Sequence, residues 1–331
     1  MIFPIYIVPY KFILKIQKKK INRFVKARYI ASCLRLNTLS IIKKAGSGHI
    51  GTSMSAMDIF VWIKFFYSPN HFKNLKNKNR NIFFSSKGHD APALYSCLYG
   101  LNIIKENQFT KLRRLGGLDG HPDVSIRGIE ANTGSLGMGI SKAKGYAWAK
   151  KYLKKKGDVI VLIGDGEFQE GQIFESLQNS AHQKISNLIV IMDHNKIQSS
   201  DYVKNIINLR DLKKKISSFG WEVEQCDGHN FKDLNKILEK LKKSDKPKFI
   251  IANTIKGKGI KEMEHTKVMK KQRYYSWHAG APTDEVFIKS QNYLISNIKK
   301  MHNKIDLEQL NLVNISNNKT NKESKKVFEA H

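Results

Sequence analysis

The chain has few cysteines, prolines, acids and arginines. Its three cysteines, Cys33, Cys97 and Cys226, are too scattered for a disulfide framework or a zinc knuckle and fit a reducing compartment. Seven prolines among 331 residues leave no Pro-rich linker, and neither a Ser-rich stretch nor an internal repeat takes its place. No apolar run is long enough to span a bilayer. The most apolar stretch, Met1 to Ile16, is broken by Lys11 and Lys15 and closed by Lys18, Lys19 and Lys20. It has no basic leading region and no small-residue cleavage site, which argues against a secretory signal. Residues 1–20 therefore read as an N-terminal extension outside the core fold. Weak attachment at a membrane surface is the other reading.

Acidic side chains number 28 against 58 basic ones, for a net charge of +30. Such an excess invites a nucleic-acid reading. Yet 49 of the basic residues are lysine and only 9 are arginine. A surface built to read phosphate favours the bidentate fork of arginine. Lysine, asparagine and isoleucine abundant together read as a coding bias spread over solvated faces, so no nucleic-acid partner and no membrane is expected. The hydrophobic fraction of 41% excludes whole-chain disorder.

What is present alternates helix and strand. Residues 22–45 carry apolar positions near a 3.6 period and stop at Gly46-Ser47-Gly48. Helices are predicted over 53–67, 90–100, 140–155, 170–183, 209–218 and 230–243. Strands are predicted at 82–84, 158–164, 188–193, 220–226 and 248–255. The β-branched runs are those of strands buried on both faces of a parallel sheet. The expected architecture is an α/β, doubly wound parallel sheet with helices on both faces. Residues 21–290 read as one domain and 291–331 as a polar C-terminal tail.

The sharpest chemistry lies at the strand ends. Gly164-Asp165-Gly166 stands where strand 158–164 finishes, and ligands of open parallel sheets bind beyond such ends. Gly166 lets backbone amides approach a phosphate, and the following helix offers its positive end. The next strand finishes at Asp193-His194-Asn195-Lys196-Ile197. If the strands are neighbours, Asp165 and Asn195 share one crevice. Their hard oxygen donors suit Mg²⁺, with Ca²⁺ or Mn²⁺ as substitutes, bridging to a diphosphate.

At this point the sequence resembles the transketolase family of thiamine diphosphate enzymes. Lys44-Ala45-Gly46-Ser47-Gly48-His49, Ser86-Lys87-Gly88-His89 and Gly120-His121-Pro122-Asp123 are similar to its histidine motifs. Gly134-Ser135-Leu136-Gly137-Met138-Gly139 resembles the loop over the diphosphate, and Gly164 to Glu167 with Gln169-Glu170-Gly171 resembles the metal segment. Asp227-Gly228-His229, Lys256-Gly257-Lys258-Gly259 and Trp277-His278 follow in the family's order.

The resemblance implies roles residue by residue. Asp165, Asn195 and the Ile197 carbonyl would hold the metal. Gly134, Ser135, Leu136, Gly137, Gly166 and Glu167 would contact the thiamine diphosphate. His49, His89, His121 and His278 would line the channel and move protons, and Glu170 would lie at a contact between subunits beside the cofactor. His71, His182, His229, His265, His302 and His331 are left as structural or surface residues, and His194 is left open. Ile50, Asp90, Met138, His194, Ser199-Ser200 and a basic insertion-like segment at 264–276 depart from the family pattern.

Whole transketolases are about twice as long, so the resemblance is to the N-terminal subunit of a split enzyme, a transferase of two-carbon ketol units between sugar phosphates. It implies a separate C-terminal, pyrimidine-binding subunit, self-association through the cofactor interface in an α₂β₂ assembly, a cytoplasmic location and pentose-phosphate interconversion or a more specialised sugar. The readings weighed against it are a Rossmann dehydrogenase, a basic nucleic-acid-binding protein, a non-catalytic subunit retained for assembly and a deoxyxylulose-phosphate synthase-like or 2-oxo-acid dehydrogenase-like subunit.

Overall fold

The computed structural model describes residues 3–67, 74–305 and 307–316. Among them the strands are β1 (Tyr6–Ile7), β2 (Ile82–Ser85), β3 (Val159–Gly164), β4 (Leu188–His194), β5 (Ile197–Gln198), β6 (Asp201–Tyr202), β7 (Glu222–Asp227), β8 (Lys248–Asn253) and β9 (Val313–Asn314). The α-helices are α1 (Tyr10–Lys18), α2 (Arg23–Ala45), α3 (Ile50–Val61), α4 (Ala91–Gly100), α5 (Glu106–Phe109), α6 (Gly139–Tyr152), α7 (Gly171–His182), α8 (Val203–Ile206), α9 (Leu212–Ser217), α10 (Phe231–Leu241), α11 (His265–Val268) and α12 (Asp284–His302).

Five strands make one parallel sheet in the order β2-β3-β4-β8-β7. Both of its faces are covered. Ile160, Leu162, Ile189, Ile191 and Ile250 pack into the layer that contains α2, α3, α4 and α12. The alternate residues Val161, Ile163, Val190, Met192 and Ile251 pack against α6, α7 and α9. Period-two alternation with no polar face is what the β-branched runs predict, and the doubly wound sheet is the architecture found. The register then places the site. Gly164 lies opposite Asp193, and Asp193 opposite Ala252. The three strands therefore finish level, and the residues just past them share one edge.

Residues 3–20 overturn the reading of an extension outside the core fold. Ile5, Ile7, Val8, Ile13 and Ile16 are completely buried. β1 pairs antiparallel with β9. Buried Asn37 of α2 imitates a strand neighbour: its Oδ1 accepts from the Val8 amide at 2.7 Å, and its Nδ2 donates to the Val8 carbonyl at 2.9 Å. A backbone that has left water needs such partners. The boundary at 290 also moves, because α12 runs on to His302 and β9 is tied to the N-terminus. Of the polar tail, Asp306 and residues 317–331 lie outside the described residues. Ile13→Ala is expected to cost about 2–5 kcal/mol by removing a buried side chain, measured by urea unfolding. A change within ~0.5 kcal/mol, typical of exposed sites, would restore the reading of an outside extension.

No helix among the described residues is long and apolar enough to cross a membrane.

Candidate functional site

The crevice opens at the C-terminal ends of β3, β4 and β8. Asp165 follows β3 and is buried. Its Oδ1 accepts from the Gly166 amide at 2.8 Å and its Oδ2 from the Lys196 amide at 2.5 Å. Burial and the nearby Asp193 push its carboxyl up to about 7. Asn195 follows β4. Its Nδ2 donates to Asp193 Oδ2 at 3.2 Å, and its Oδ1 accepts from the Ile197 amide at 3.1 Å. The Ile197 carbonyl accepts from Lys256 Nζ at 3.1 Å. Lys256, past the end of β8, also donates to the Ser199 carbonyl at 3.4 Å and meets His278 Nδ1 at 3.2 Å. Burial pulls this ammonium down to about 8.

Beneath these residues lies a buried ionic floor. Asp193 Oδ2 accepts from Lys87 Nζ at 2.6 Å and Ser55 Oγ at 2.6 Å, while Oδ1 accepts from the Thr254 hydroxyl. Lys87 also donates to Thr52 Oγ1 at 2.7 Å and lies 3.4 Å from Asp90. Burial opposes the Lys87 charge, but Asp193 and Asp90 outweigh it and hold the ammonium above its ordinary range. This floor fixes which end of the Asn195 amide faces Asp193. The Asp90 departure from the family pattern thus has a partner in Lys87.

Three histidines gather beside the crevice. Ring centroids are 5.1 Å apart for His49 and His89, 5.2 Å for His49 and His278, and 6.1 Å for His89 and His278. Burial, reinforced by the neighbouring cations and imidazoles, pulls His49 down to about 3 and His89 well below its usual range; burial and Lys256 pull His278 to about 4. All three rings are neutral at pH 7. His49 Nδ1 is buried with no hydrogen-bond partner among the described residues. His121 packs against the glycines of two motifs. A Cβ on Gly134 would come within 2.9 Å of its Cδ2, and one on Gly88 within 2.6 Å of the Gly134 Cα. Gly134 and Gly137 have φ of 141° and 83°, which L side chains rarely adopt.

Other expected site residues face elsewhere. Glu167 turns inward on the 3₁₀ turn Glu167–Gln169. Its carboxylate accepts from the Ser86 hydroxyl, from the Gly137 amide at 2.9 Å and from the Gly164 amide at 3.1 Å. It ties the 134–137 loop to the end of β3. Ser135, Leu136 and Glu170 are exposed on the surface around that loop. Among the remaining histidines, His182 is exposed and His302 meets the Tyr29 hydroxyl at 3.1 Å. His194 ends β4, with its Nδ1 buried and without a hydrogen-bond partner among the described residues. His71 and His331 lie outside the described residues.

Among the described residues no three His, Cys, Asp or Glu side chains gather as a metal cluster. The oxygen set of Asp165, Asn195 and the Ile197 carbonyl is of a different kind. A buried carboxylate held by two backbone amides, with its ionisation opposed by burial and Asp193, fits a cation that would restore its charge.

Residues 26–286 match the family described as transketolase, thiamine diphosphate binding domain. The chain belongs to the transketolase family. It is similar to an apulose-4-phosphate transketolase subunit of Phocaeicola vulgatus, 32% identical over 81% of this chain and 93% of that protein. It is likewise similar to the subunit of that name from Actinobacillus succinogenes, 38% identical over 72% of this chain and 85% of that one. Among solved structures, the Campylobacter jejuni transketolase matches with a TM-score of 0.71 and 27% identity, covering 86% of this chain and 49% of that one. This transketolase chain therefore spans about half of such a whole enzyme and most of either bacterial subunit. Its extent is that of the N-terminal subunit of a two-component transferase.

In the sequence Lys256 and Lys87 lie inside transketolase motifs and Asp193 at the end of a predicted strand, but none of the three carries a role there. The available signal was position: each stands within three residues of the end of a strand of the parallel sheet.

Proposed function

We propose that this chain is the cofactor-holding half of a two-component transketolase moving a two-carbon ketol unit from a ketose phosphate to an aldose phosphate. The observation that carries the reading is the convergence of Asp165, Asn195 and Lys256 at three level strand ends beside three neutral histidines. Asp165, Asn195 and the Ile197 carbonyl would hold Mg²⁺. The amides around Gly166 and the loop Gly134, Ser135, Leu136 and Gly137, braced by Glu167, would receive the diphosphate with Lys256. When bound, thiamine diphosphate supplies a nucleophilic carbon and an electron sink for breaking a ketose C2–C3 bond.

The protein's own part is orientation and proton handling. A neutral imidazole accepts a proton at its free nitrogen and returns it, which sugar hydroxyls require in both halves of the transfer. His49, whose buried Nδ1 has no hydrogen-bond partner among the described residues, and His89, His121 and His278 would serve the sugar oxygens. Exposed Glu170, beside Gly137, would lie at the contact with another subunit. The residues of the other transketolase domains would come from a separate C-terminal subunit, in an α₂β₂ assembly that includes self-association through the cofactor interface. Three buried thiols fit the cytoplasm.

The test mixes the purified chain with a C-terminal subunit, thiamine diphosphate and Mg²⁺ and analyses products from a panel of ketose and aldose phosphates. Pentose phosphates and apulose-4-phosphate, the substrate named for the two relatives, belong in that panel. The expected result is ketol transfer by the pair and none by the chain alone. Transfer by the chain alone, or carbon dioxide release from pyruvate in place of ketol transfer, would overturn the reading.

A further inference from the structure

The Thr254 amide still donates to the His194 carbonyl of β4, and beyond it the loop that carries Lys256 leaves the sheet. Two histidines take the next two amides. His229 Nε2 accepts from the Ile255 amide at 2.8 Å, and His265 Nδ1 accepts from the Lys256 amide at 3.0 Å. A ring nitrogen accepts only when it carries no proton, so both rings are neutral in this role. The tautomer of His229 is set from behind, because its Nδ1 lies 2.7 Å from Asp58 Oδ2 and must donate to it. Asp58 is in turn gripped by Arg35 at 3.0 and 2.7 Å. Arg35 Nε donates to the Lys258 carbonyl at 3.0 Å, and the Gly257 amide donates to the Gly51 carbonyl at 2.9 Å. Four successive residues, 255–258, are thus each held by a group from elsewhere in the chain. The fit is close: a Cβ on Gly257 would lie 1.9 Å from the Met263 carbonyl oxygen.

We propose that His229 and His265 form a two-histidine clamp that positions Lys256. By fixing successive amides of the loop, they hold the Lys256 ammonium in the crevice beside the Ile197 carbonyl and His278, where the proposed function has it meet the diphosphate. Both rings act through backbone amides of the loop, so both are positioning residues. His229 belongs to the Asp227-Gly228-His229 motif. His265 belongs to the 264–276 segment that departs from the family pattern, so half of the clamp is supplied by that segment. Burial, with Lys196 and Lys256 nearby, pulls His265 down to about 4, which keeps the ring an acceptor at neutral pH.

The clamp rests on the proposed role of Lys256, and its test separates the two. His229→Asn keeps a donor for Asp58 but loses the acceptor for Ile255, whereas His229→Gln places an acceptor near Nε2. His265→Asn keeps an acceptor near Nδ1, whereas His265→Ala removes it. Amide hydrogen exchange is read on the full chain over residues 255–258. Thiamine diphosphate affinity with Mg²⁺ is read on the chain paired with its C-terminal partner, and melting curves report general stability. His229→Asn and His265→Ala are expected to speed exchange in that segment about tenfold or more and to weaken affinity by about tenfold. His229→Gln and His265→Asn are expected to stay within about threefold of wild type in both readouts. Unchanged exchange in both disruptive variants overturns the clamp. Faster exchange with unchanged affinity overturns its link to the cofactor. Failure of the wild-type pair to take up thiamine diphosphate overturns the proposed function and that link together, while the exchange result still decides the clamp.

Discussion

Asp165→Asn is expected to weaken thiamine diphosphate uptake in Mg²⁺ by about 100-fold or more and, in the absence of metal, to make the protein more stable. The loss follows from removing the one carboxylate among three expected metal donors, since an interaction with a charged group in a buried site is worth about 1.5–3 kcal/mol or more. The gain follows from linkage. The folded carboxyl is raised from its usual value to about 7, by burial first and Asp193 second. Between the two values the native state holds a proton that the unfolded chain releases. Stability of the metal-free protein therefore falls as pH rises towards about 7 and stays low above it. Ionised Asp165 then costs on the order of 2–4 kcal/mol. Asparagine carries no charge and loses only one acceptor for a backbone amide, worth about 1 kcal/mol. Melting curves at pH 5 and pH 8, with and without Mg²⁺ and cofactor, check both signs. The variant should melt higher than wild type only at the alkaline pH and only without ligand. A variant that binds normally, or melts lower under every condition, would contradict this assignment.

Lys256→Met is expected to cost about 100-fold in cofactor affinity and to abolish a pH dependence that the wild type shows. Burial pulls the free ammonium down to about 8. A diphosphate favours the charged form, so binding to the wild type carries a proton onto any Lys256 that has lost it. Affinity should fall as pH rises through about 8, approaching tenfold for each further pH unit. Methionine keeps the length and the apolar stem, and its profile over the same range should be flat. Titrations from pH 7 to pH 9.5 decide the matter; an unaltered slope in Lys256→Met would assign the titration to another group.

The sheet was legible because its strands are buried on both faces and therefore written as unbroken β-branched runs. The crevice was legible for the same reason: a strand end is easy to find, and Asp165 and Asn195 stand just past two of them. The N-terminus was misread because its order is encoded elsewhere. Lys11 and Lys15 interrupt the apolar run at the spacing that leaves Phe12, Ile13 and Ile16 turned inward, and the partners Asn37 and β9 lie far along the chain. Glu167 reads as a cofactor contact from its place in the motif, and its hydrogen bonds to Ser86 and the Gly137 amide, which the motif does not announce, depend on the 3₁₀ turn. His229 and His265 read only as structural or surface residues, because a ring that accepts a backbone amide 26 or 9 residues away leaves no periodicity or spacing to detect. The charge of +30 falls largely on exposed lysines such as Lys154, Lys155 and Lys156, while the buried cations Lys87 and Lys256 stand in the floor and wall of the crevice.

The most direct test of the central claim is the location of a Mn²⁺ ion, by anomalous scattering, in crystals of this chain with thiamine diphosphate and the C-terminal partner. The account expects one strong peak touching the side chains of Asp165 and Asn195 and the Ile197 carbonyl, with the diphosphate between it and the 134–137 loop. Diphosphate density elsewhere on the chain, or cofactor bound in the crevice with no metal at Asp165, would contradict it.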